Sequence, residues 1–272
     1  NTQNETVTLR ASTPTAPEHP WSKCLDNIAA QIKEKTNGRY QIDVYYNASL
    51  SENSEKTMTE QIMTGTLDLG ISPAPLVGKA FSAFSFPFQF DDRDHIKRVC
   101  DSDTAKELLA ATESNGLHSM AYVENGFRQI TNNKHAVKTP DDMKGLKIRV
   151  MESPMYIEMF TEMGASPTPM SFAELYTALQ QKTVDGQDNS YTITCVNGLY
   201  EVQGYMTELG HNFDYTPFAM SNAFYESLPQ DLQQIVDECA AEAVTYDRQI
   251  CIDKEADYIK TIEDGGCPLT RL

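Results

Sequence analysis

The 272-residue sequence has no long hydrophobic run and few basic residues. No apolar stretch approaches the roughly 18 residues that a membrane span needs, so a membrane protein is not expected. The 22 Lys and Arg residues are outnumbered by 39 Asp and Glu residues, which gives a formal net charge of −17. This charge would repel a phosphate backbone, and nucleic acid is therefore not an expected partner.

The sequence also lacks the motifs that carry most catalytic, nucleotide-binding and metal-binding sites. Its five histidines include no close ligand pair such as HExxH, and no serine lies in a GxSxG elbow. Walker and GxGxxG loops are missing as well. The sequence therefore predicts no cofactor, no metal site and no catalytic residue.

The six cysteines are widely spaced and include no CxxC pair, so their spacing indicates neither a zinc site nor a redox motif. A chain of this length needs no disulfide staples. We expect most of the cysteines to be buried or free thiols, with pairing in an oxidising compartment as the alternative.

Helical and strand periodicities alternate at the start of the chain. Strands predicted at 7–11, 40–46 and 67–71 are separated by helices predicted at 21–36 and 52–63, a pattern that favours parallel strands.

Near the other end of the chain, residues 229–263 have a helical pattern without an internal Gly or Pro. The pattern predicts one helix of roughly 50 Å, or alternatively two helices with a bend.

Polar side chains stand at the ends of predicted elements within residues 125–189. The KIRV segment at 147–150 predicts a buried strand, and Pro154 begins a helical pattern shortly after it. Ligands of α/β proteins bind where strand ends face helix starts. Arg149 is at such a position, and its permanently charged fork of donors suits a carboxylate or a phosphate.

Two further polar side chains have similar positions. Arg128 lies in a predicted loop-to-strand junction at 126–131, and Asn189 follows the VDGQ turn at the end of a third predicted strand. Together with Arg149, they could converge on one anion.

Four segments carry a resemblance to a known family. They are NGFRQITN at 125–132, MKGLKIRV at 143–150, GASPTPMSFAELYTALQ at 164–180 and VDGQDN at 184–189. In order and spacing they resemble the solute receptors of TRAP transporters, the tripartite ATP-independent periplasmic carriers of organic acids. The similarity extends from residue 9 to about residue 265.

The resemblance implies an α/β, two-lobed, periplasmic-binding-protein-like fold, with a cleft between the lobes and a long helix spanning both. Domain I is expected at 1–124 and 213–252, and domain II at 125–212 and 253–272. The chain would cross between the lobes near Asn125 and again near Asn212.

The implied function is capture of a carboxylate by lobe closure and delivery to TRAP membrane permease subunits. We expect a monomeric receptor rather than an enzyme, located in the periplasm or elsewhere outside the cytoplasm. The polar start at Asn1 suits a mature protein whose signal peptide is absent from this chain. Family members usually continue for about another helix beyond residue 272.

The resemblance also assigns roles to individual residues. In the family, the arginine of the KxRV segment makes a two-pronged salt bridge to the ligand carboxylate, and here that residue is Arg149. The matching asparagine of the DGQxN segment is Asn189, and the arginine of the NGxRQ segment is Arg128. The alternatives are that Arg149 pairs with a protein acid, that Arg128 braces the hinge and that Asn189 caps a turn.

Loops and neighbouring segments provide additional candidate ligand contacts. These are Glu18, Trp21, Ser72, Pro73, Met151, Glu152, Met170, Tyr191, Phe213 and Tyr215. Glu18 could instead be a helix-terminal carboxylate, and most of the Met and aromatic residues could be core. Phe172 could also contribute to the pocket, but its segment favours a packing helix in which Phe172, Leu175 and Leu179 face the sheet.

Several ligands and functions remain open on the sequence alone. The ligand could be a sugar acid such as a uronate or an aldonate, a small hydroxy or keto acid, a C4-dicarboxylate or an aromatic carboxylate. The absence of an acid at 72–75 disfavours sialic acid. The rival functions are an enzyme acting on a small acid and a sensing module for a signalling receptor.

Overall fold

The computed structural model describes residues 6–272, which form nine strands and ten α-helices. The strands are β1 (Val7–Ser12), β2 (Tyr40–Tyr45), β3 (Leu69–Ile71), β4 (Leu117–Asn132), β5 (Lys147–Val150), β6 (Ser166–Pro169), β7 (Gly186–Ser190), β8 (Tyr205–Ser221) and β9 (Leu269–Arg271). The helices are α1 (Pro20–Lys35), α2 (Glu55–Met63), α3 (Ala74–Val77), α4 (Arg93–Cys100), α5 (Asp103–Ala111), α6 (Pro154–Glu162), α7 (Leu175–Gln180), α8 (Tyr191–Val196), α9 (Asn222–Ser227) and α10 (Gln230–Asp264).

One mixed sheet connects all the strands, in the order β2-β1-β3-β8-β4-β7-β5-β6, with β9 paired to β8. The strands β1, β2 and β3 are parallel, as the alternating pattern at the start of the chain predicts. At the other side, β5 is parallel to both β6 and β7. Parallel strands place their carboxyl ends at one edge of the sheet, where ligands of α/β proteins bind.

The two longest strands, β4 and β8, form an antiparallel pair in the middle of the sheet. The apolar alternation at 117–123 predicts a strand that ends at Val123, which was wrong, because β4 continues to Asn132. Its pairing with β8 shifts between Glu124 and Gly126, and again between Arg128 and Ile130. Gly126 adopts a φ of 99°, which an L side chain rarely adopts. These irregularities bend the strand without ending it, so Arg128 lies inside a strand rather than at a loop junction.

The hydrophobic core is divided between the two ends of the sheet, one that contains β1 and one that contains β5. Two clusters on what we call the β1 side draw their buried members from 1–124 and 213–252. Three clusters on the β5 side draw theirs from 125–212 and 253–272. The strands β4 and β8 run from one set of clusters to the other.

The helix α10 is continuous over 35 residues, which confirms the prediction of one long helix. Its length is roughly 50 Å at the usual helical rise. Leu232 and Val244 pack into a cluster on the β1 side, whereas Ile262 packs into a cluster on the β5 side. The helix therefore contacts the cores of both sides.

All six cysteines are free thiols, and five of them are buried, as expected from their spacing. Burial raises the pKa of the Cys24 and Cys251 thiols well above the usual range, which disfavours the reactive thiolate. Among residues 6–272, no helix combines the length and the apolar character that crossing a membrane would require.

Candidate functional site

A cleft between the β1 side and the β5 side encloses about 410 Å³ of space, part of it open to solvent. Its polar lining consists of Thr15, Glu55, Asn125, Arg128, Arg149, Asn189 and Asp214. Its apolar lining consists of Pro14, Trp21, Pro73, Met151, Phe172 and Ile193. This mixture of polar and apolar walls is typical of a site for a small organic molecule.

Arg149 lies on the buried strand β5 and is 2% exposed. Its Nε and Nη2 donate to the main-chain oxygen of Met170 at 3.0 Å and 2.8 Å. Nη2 also contacts Oε1 of Glu55 at 3.4 Å, and the guanidinium carbon lies 5.8 Å from the centre of the Phe172 ring. Nη1 makes no hydrogen bond with any residue in 6–272, so two of the five donors are not used by this part of the chain.

The surroundings of Arg149 compensate its charge incompletely. Burial lowers the pKa of Arg149, and the nearby carboxylates of Glu55 and Asp188 only partly oppose that shift, while the charge of Arg128 adds to it. A guanidinium keeps its proton even so. A buried cation with free donors beside a cavity would be stabilised by an incoming anion.

Arg128 also lines the cleft, but protein groups use most of its donors. Its Nε contacts Oδ2 of Asp188 at 2.6 Å, its Nη1 contacts Oδ2 of Asp214 at 2.8 Å, and its Nη2 donates to the main-chain oxygen of Asp188. Burial alone would lower the pKa of Arg128, but Asp188, Tyr156 and Asp214 outweigh burial and raise it. Burial would likewise raise the pKa of Asp188, yet Arg128 and His211 hold it below the usual range. This geometry suits a brace between strands.

A second network of hydrogen bonds joins the segment around the start of α1 to the strand β4. The main-chain N–H of Trp21 donates to Nδ1 of His19, so Nε2 of His19 carries the ring proton and donates to Oδ1 of Asn125 at 3.2 Å. Nδ2 of Asn125 donates to Asp214, and the indole of Trp21 donates to the main-chain oxygen of Glu124. These bonds fix one wall of the cleft.

Because His19 is neutral in the folded protein, the free energy of unfolding is expected to depend on pH. Burial lowers its pKa from 6.5 to about 3, although the hydrogen bond with Asn125 opposes the shift. Between these two values the unfolded chain binds a proton that the folded chain does not, so stability falls as pH drops through this range. From pH 7 to pH 4, wild type should lose roughly 3 kcal/mol more unfolding free energy than His19→Gln.

Urea unfolding of both proteins at several pH values measures this difference. The exposed His135 provides the control, because His135→Gln should lose as much stability on acidification as wild type does. Equal acid sensitivity of wild type and His19→Gln would contradict the assignment of a neutral, buried imidazole.

The structure brings together six of the residues selected from the sequence. Trp21, Pro73, Arg128, Arg149, Met151 and Asn189 all line the cleft. Asn189 lies on β7 and its Nδ2 donates to Oε1 of Gln187 at 2.6 Å. The three polar groups expected to converge therefore lie around one cavity.

The other residues selected from the sequence lie outside the cavity lining. Glu18 and Glu152 are exposed, and Ser72 is buried beside Pro73, where its main-chain oxygen accepts from Thr216. Met170 contributes its main-chain oxygen to Arg149.

The three remaining aromatic candidates are core residues. Tyr191 belongs to a cluster on the β5 side. Phe213 and Tyr215 belong to a cluster on the β1 side, with their ring centres 5.4 Å apart.

Phe172 lies between the cleft and a core cluster. It lines the cleft, and it also packs, partly buried, against the cluster that contains Leu175 and Leu179. It lies in a short 3-10 turn before α7, where the helical spacing that the prediction assumed does not hold.

Sequence reasoning missed several lining residues. Pro14 and Thr15 follow β1, so the strand-end rule could have found them. Asn125 and Asp214 stand next to the predicted crossings. Glu55 comes from the start of α2, far from any selected segment, and nothing in the sequence pattern indicated that it reaches Arg149.

Comparison with known proteins gives a consistent family assignment. Residues 11–272 match the family model of the bacterial extracellular solute-binding proteins, family 7, also called DctP. A solute-binding protein of Verminephrobacter eiseniae is 35% identical over 96% of this chain and 78% of its own length. The 2,3-diketo-L-gulonate-binding periplasmic protein YiaO of Escherichia coli is 31% identical over 86% of this chain and 72% of its own length.

Solved structures are similar over almost the whole chain. The sugar acid binding protein DctPAm of Advenella mimigardefordensis, in complex with galactonate, has a TM-score of 0.94 at 28% identity and covers 98% of this chain and 86% of its own. A TRAP periplasmic solute binding protein of Chromohalobacter salexigens with bound D-glucuronate has a TM-score of 0.93 at 30% identity, with coverages of 97% and 88%. These similarities confirm the two-lobed α/β architecture.

Proposed function

The chain belongs to the bacterial extracellular solute-binding proteins, family 7, the TRAP-type receptors, and from this premise we propose that it binds a small organic acid through Arg149. The observation that carries the proposal is the guanidinium of Arg149, which is buried beside the cleft and whose Nη1 makes no hydrogen bond with any residue in 6–272. A carboxylate placed there would gain charge-assisted hydrogen bonds worth about 1.5–3 kcal/mol each.

The proposed ligand contacts form a shorter set than the sequence suggests. Arg149 holds the carboxylate, while Asn189 and Asn125 offer polar contacts and Trp21, Met151 and Phe172 form apolar walls. Arg128 lines the same cleft, and its proposed role is to hold β4, β7 and β8 in place through Asp188 and Asp214. Glu18, Glu152, Tyr191, Phe213 and Tyr215 are not part of the proposed set.

The proposed mechanism is closure of two lobes on the ligand. Lobe I would comprise 1–124 and 213–252, and lobe II would comprise 125–212 and 253–272. The division of the buried clusters between the two sides of the sheet supports these boundaries. The strands β4 and β8 would act as the hinge, since both cross between the sides and β4 carries bulges at the crossing.

The family also suggests where the protein works and with what. DctP-family proteins are periplasmic TRAP receptors, and we propose that this chain likewise acts outside the cytoplasm and delivers its ligand to membrane permease subunits. The proposal includes a monomeric state and binding without catalysis. The net charge of −17 supports the absence of a nucleic-acid partner.

The ligand class is proposed from relatives and from the cleft together. Structural neighbours carry galactonate, L-gulonate, D-glucuronate or succinate, which are all carboxylates. A cleft with both polar and apolar walls around one arginine suits a small carboxylic acid of this kind.

A thermal-shift screen of organic acids, read together with native mass spectrometry, tests the proposal. An acid present at 100 times its dissociation constant should stabilise the folded protein by about 2.7 kcal/mol. Neutral sugars of the same size serve as controls and should not shift the unfolding temperature. A panel in which only uncharged compounds stabilise the protein would refute the proposed function.

A further inference from the structure

A further charged side chain, Glu55, lines the cavity next to Arg149. It is the first residue of α2 on the β1 side, and it is 3% exposed. A carboxylate is among the side chains least often buried without partners. Its burial therefore requires partners that donate hydrogen bonds to it.

The partners of Glu55 all belong to the β5 side. The main-chain N–H of Phe172 donates to both carboxylate oxygens, at 3.0 Å and 3.1 Å. Nη2 of Arg149 lies 3.4 Å from Oε1, which is longer than a usual charge-assisted hydrogen bond. These partners are donors, which suits a carboxylate, since it can only accept. The N–H of Phe172 therefore holds Glu55 more closely than Arg149 does.

The ion pairs around the cleft leave the Nη1 end of Arg149 open to one carboxylate. Asp188 and Asp214 contact Arg128 at 2.6 Å and 2.8 Å, so two carboxylates already neutralise that arginine. Arg149 has only the long contact with Glu55. A ligand carboxylate that binds the free Nη1 end would compete with Glu55 for Nη2 and leave Glu55 facing the rest of the ligand.

We infer that Glu55 determines specificity by excluding a second negative charge and by accepting hydrogen bonds from the ligand. The ligand class is then a monocarboxylate whose body carries hydroxyl or ammonium donors, rather than a dicarboxylate. A hydroxyl can donate to Glu55, whereas a second carboxylate would stand beside it as a like charge. The inference rests on the proposed function and deepens it.

Matched ligand pairs test this inference by calorimetry. D-Erythronate and succinate both have four carbons, and galactonate and galactarate both have six; in each pair the second compound is the dicarboxylate. Wild type should bind the monocarboxylate of a pair at least about tenfold more tightly than the dicarboxylate. Glu55→Gln should reduce that preference about tenfold or more, because the amide keeps the size but not the charge.

Glu60→Gln is the charge-matched control, since Glu60 lies on the same helix and is exposed; its preference should equal that of wild type. The wild-type ratios test the inference even if Glu55→Gln fails to fold. Equal or tighter binding of the dicarboxylates by wild type overturns the inference, and so does an unchanged preference in folded Glu55→Gln. Either result leaves the proposed function intact, whereas failure of all carboxylates to bind refutes both.

Discussion

Arg149→Ala is expected to weaken binding of the organic acid by about 30-fold to several thousandfold, which corresponds to roughly 2–5 kcal/mol. The expectation follows from burial: without the guanidinium, the ligand carboxylate would enter a largely dry cleft and lose its charged partner. Isothermal titration calorimetry with the acid that gives the largest thermal shift measures the loss.

Two variants test whether the loss of affinity depends on the planar donors of the Arg149 guanidinium. Arg149→Lys keeps the charge but not the planar donors, so its affinity should lie between wild type and Arg149→Ala. Arg98→Ala removes a cation from the exposed face of α4 and should bind like wild type. Near-wild-type affinity of a folded Arg149→Ala protein would mean that another group holds the ligand.

Arg128→Met is expected to destabilise the folded protein by about 3–5 kcal/mol. The substitution leaves Asp188 and Asp214 without the cation that both of them contact, and these two carboxylates are 0% and 5% exposed. Urea denaturation at neutral pH measures the change in unfolding free energy.

The control for Arg128→Met is an ion pair on the surface. Lys97 contacts Asp101 at 2.6 Å, but their side chains are 65% and 54% exposed, so Lys97→Met should cost less than about 1 kcal/mol. A comparably small loss for Arg128→Met would show that its carboxylates find other partners. In that case Arg128 would not be the brace that its geometry suggests.

The sequence predicts best where one physical rule acts alone. The strand β5 and the helix after Pro154 follow from a short apolar run and a helix-start residue. The helix α10 follows from 35 residues of uninterrupted helical pattern between Pro229 and Gly265. The position of Arg149 at the cleft follows from its place at a strand end.

The sequence predicts poorly where distant segments meet. Glu55 reaches Arg149 across a separation of 94 residues, and no local pattern reports such a contact. The continuation of β4 past Val123 runs through bulges and depends on pairing with two strands distant in the sequence, β7 and β8. The sequence suggests three aromatic ligand contacts, Tyr191, Phe213 and Tyr215. Their positions on β8 and at the start of α8 instead place their side chains in core clusters.

A crystal structure of the protein with its tightest-binding acid tests the central claim most directly. The account predicts a ligand carboxylate oxygen about 3 Å from Nη1 of Arg149, inside the cleft between the two lobes. A complex in which Arg149 contacts only Glu55 and the main chain of Met170, with the ligand bound elsewhere, would contradict the account.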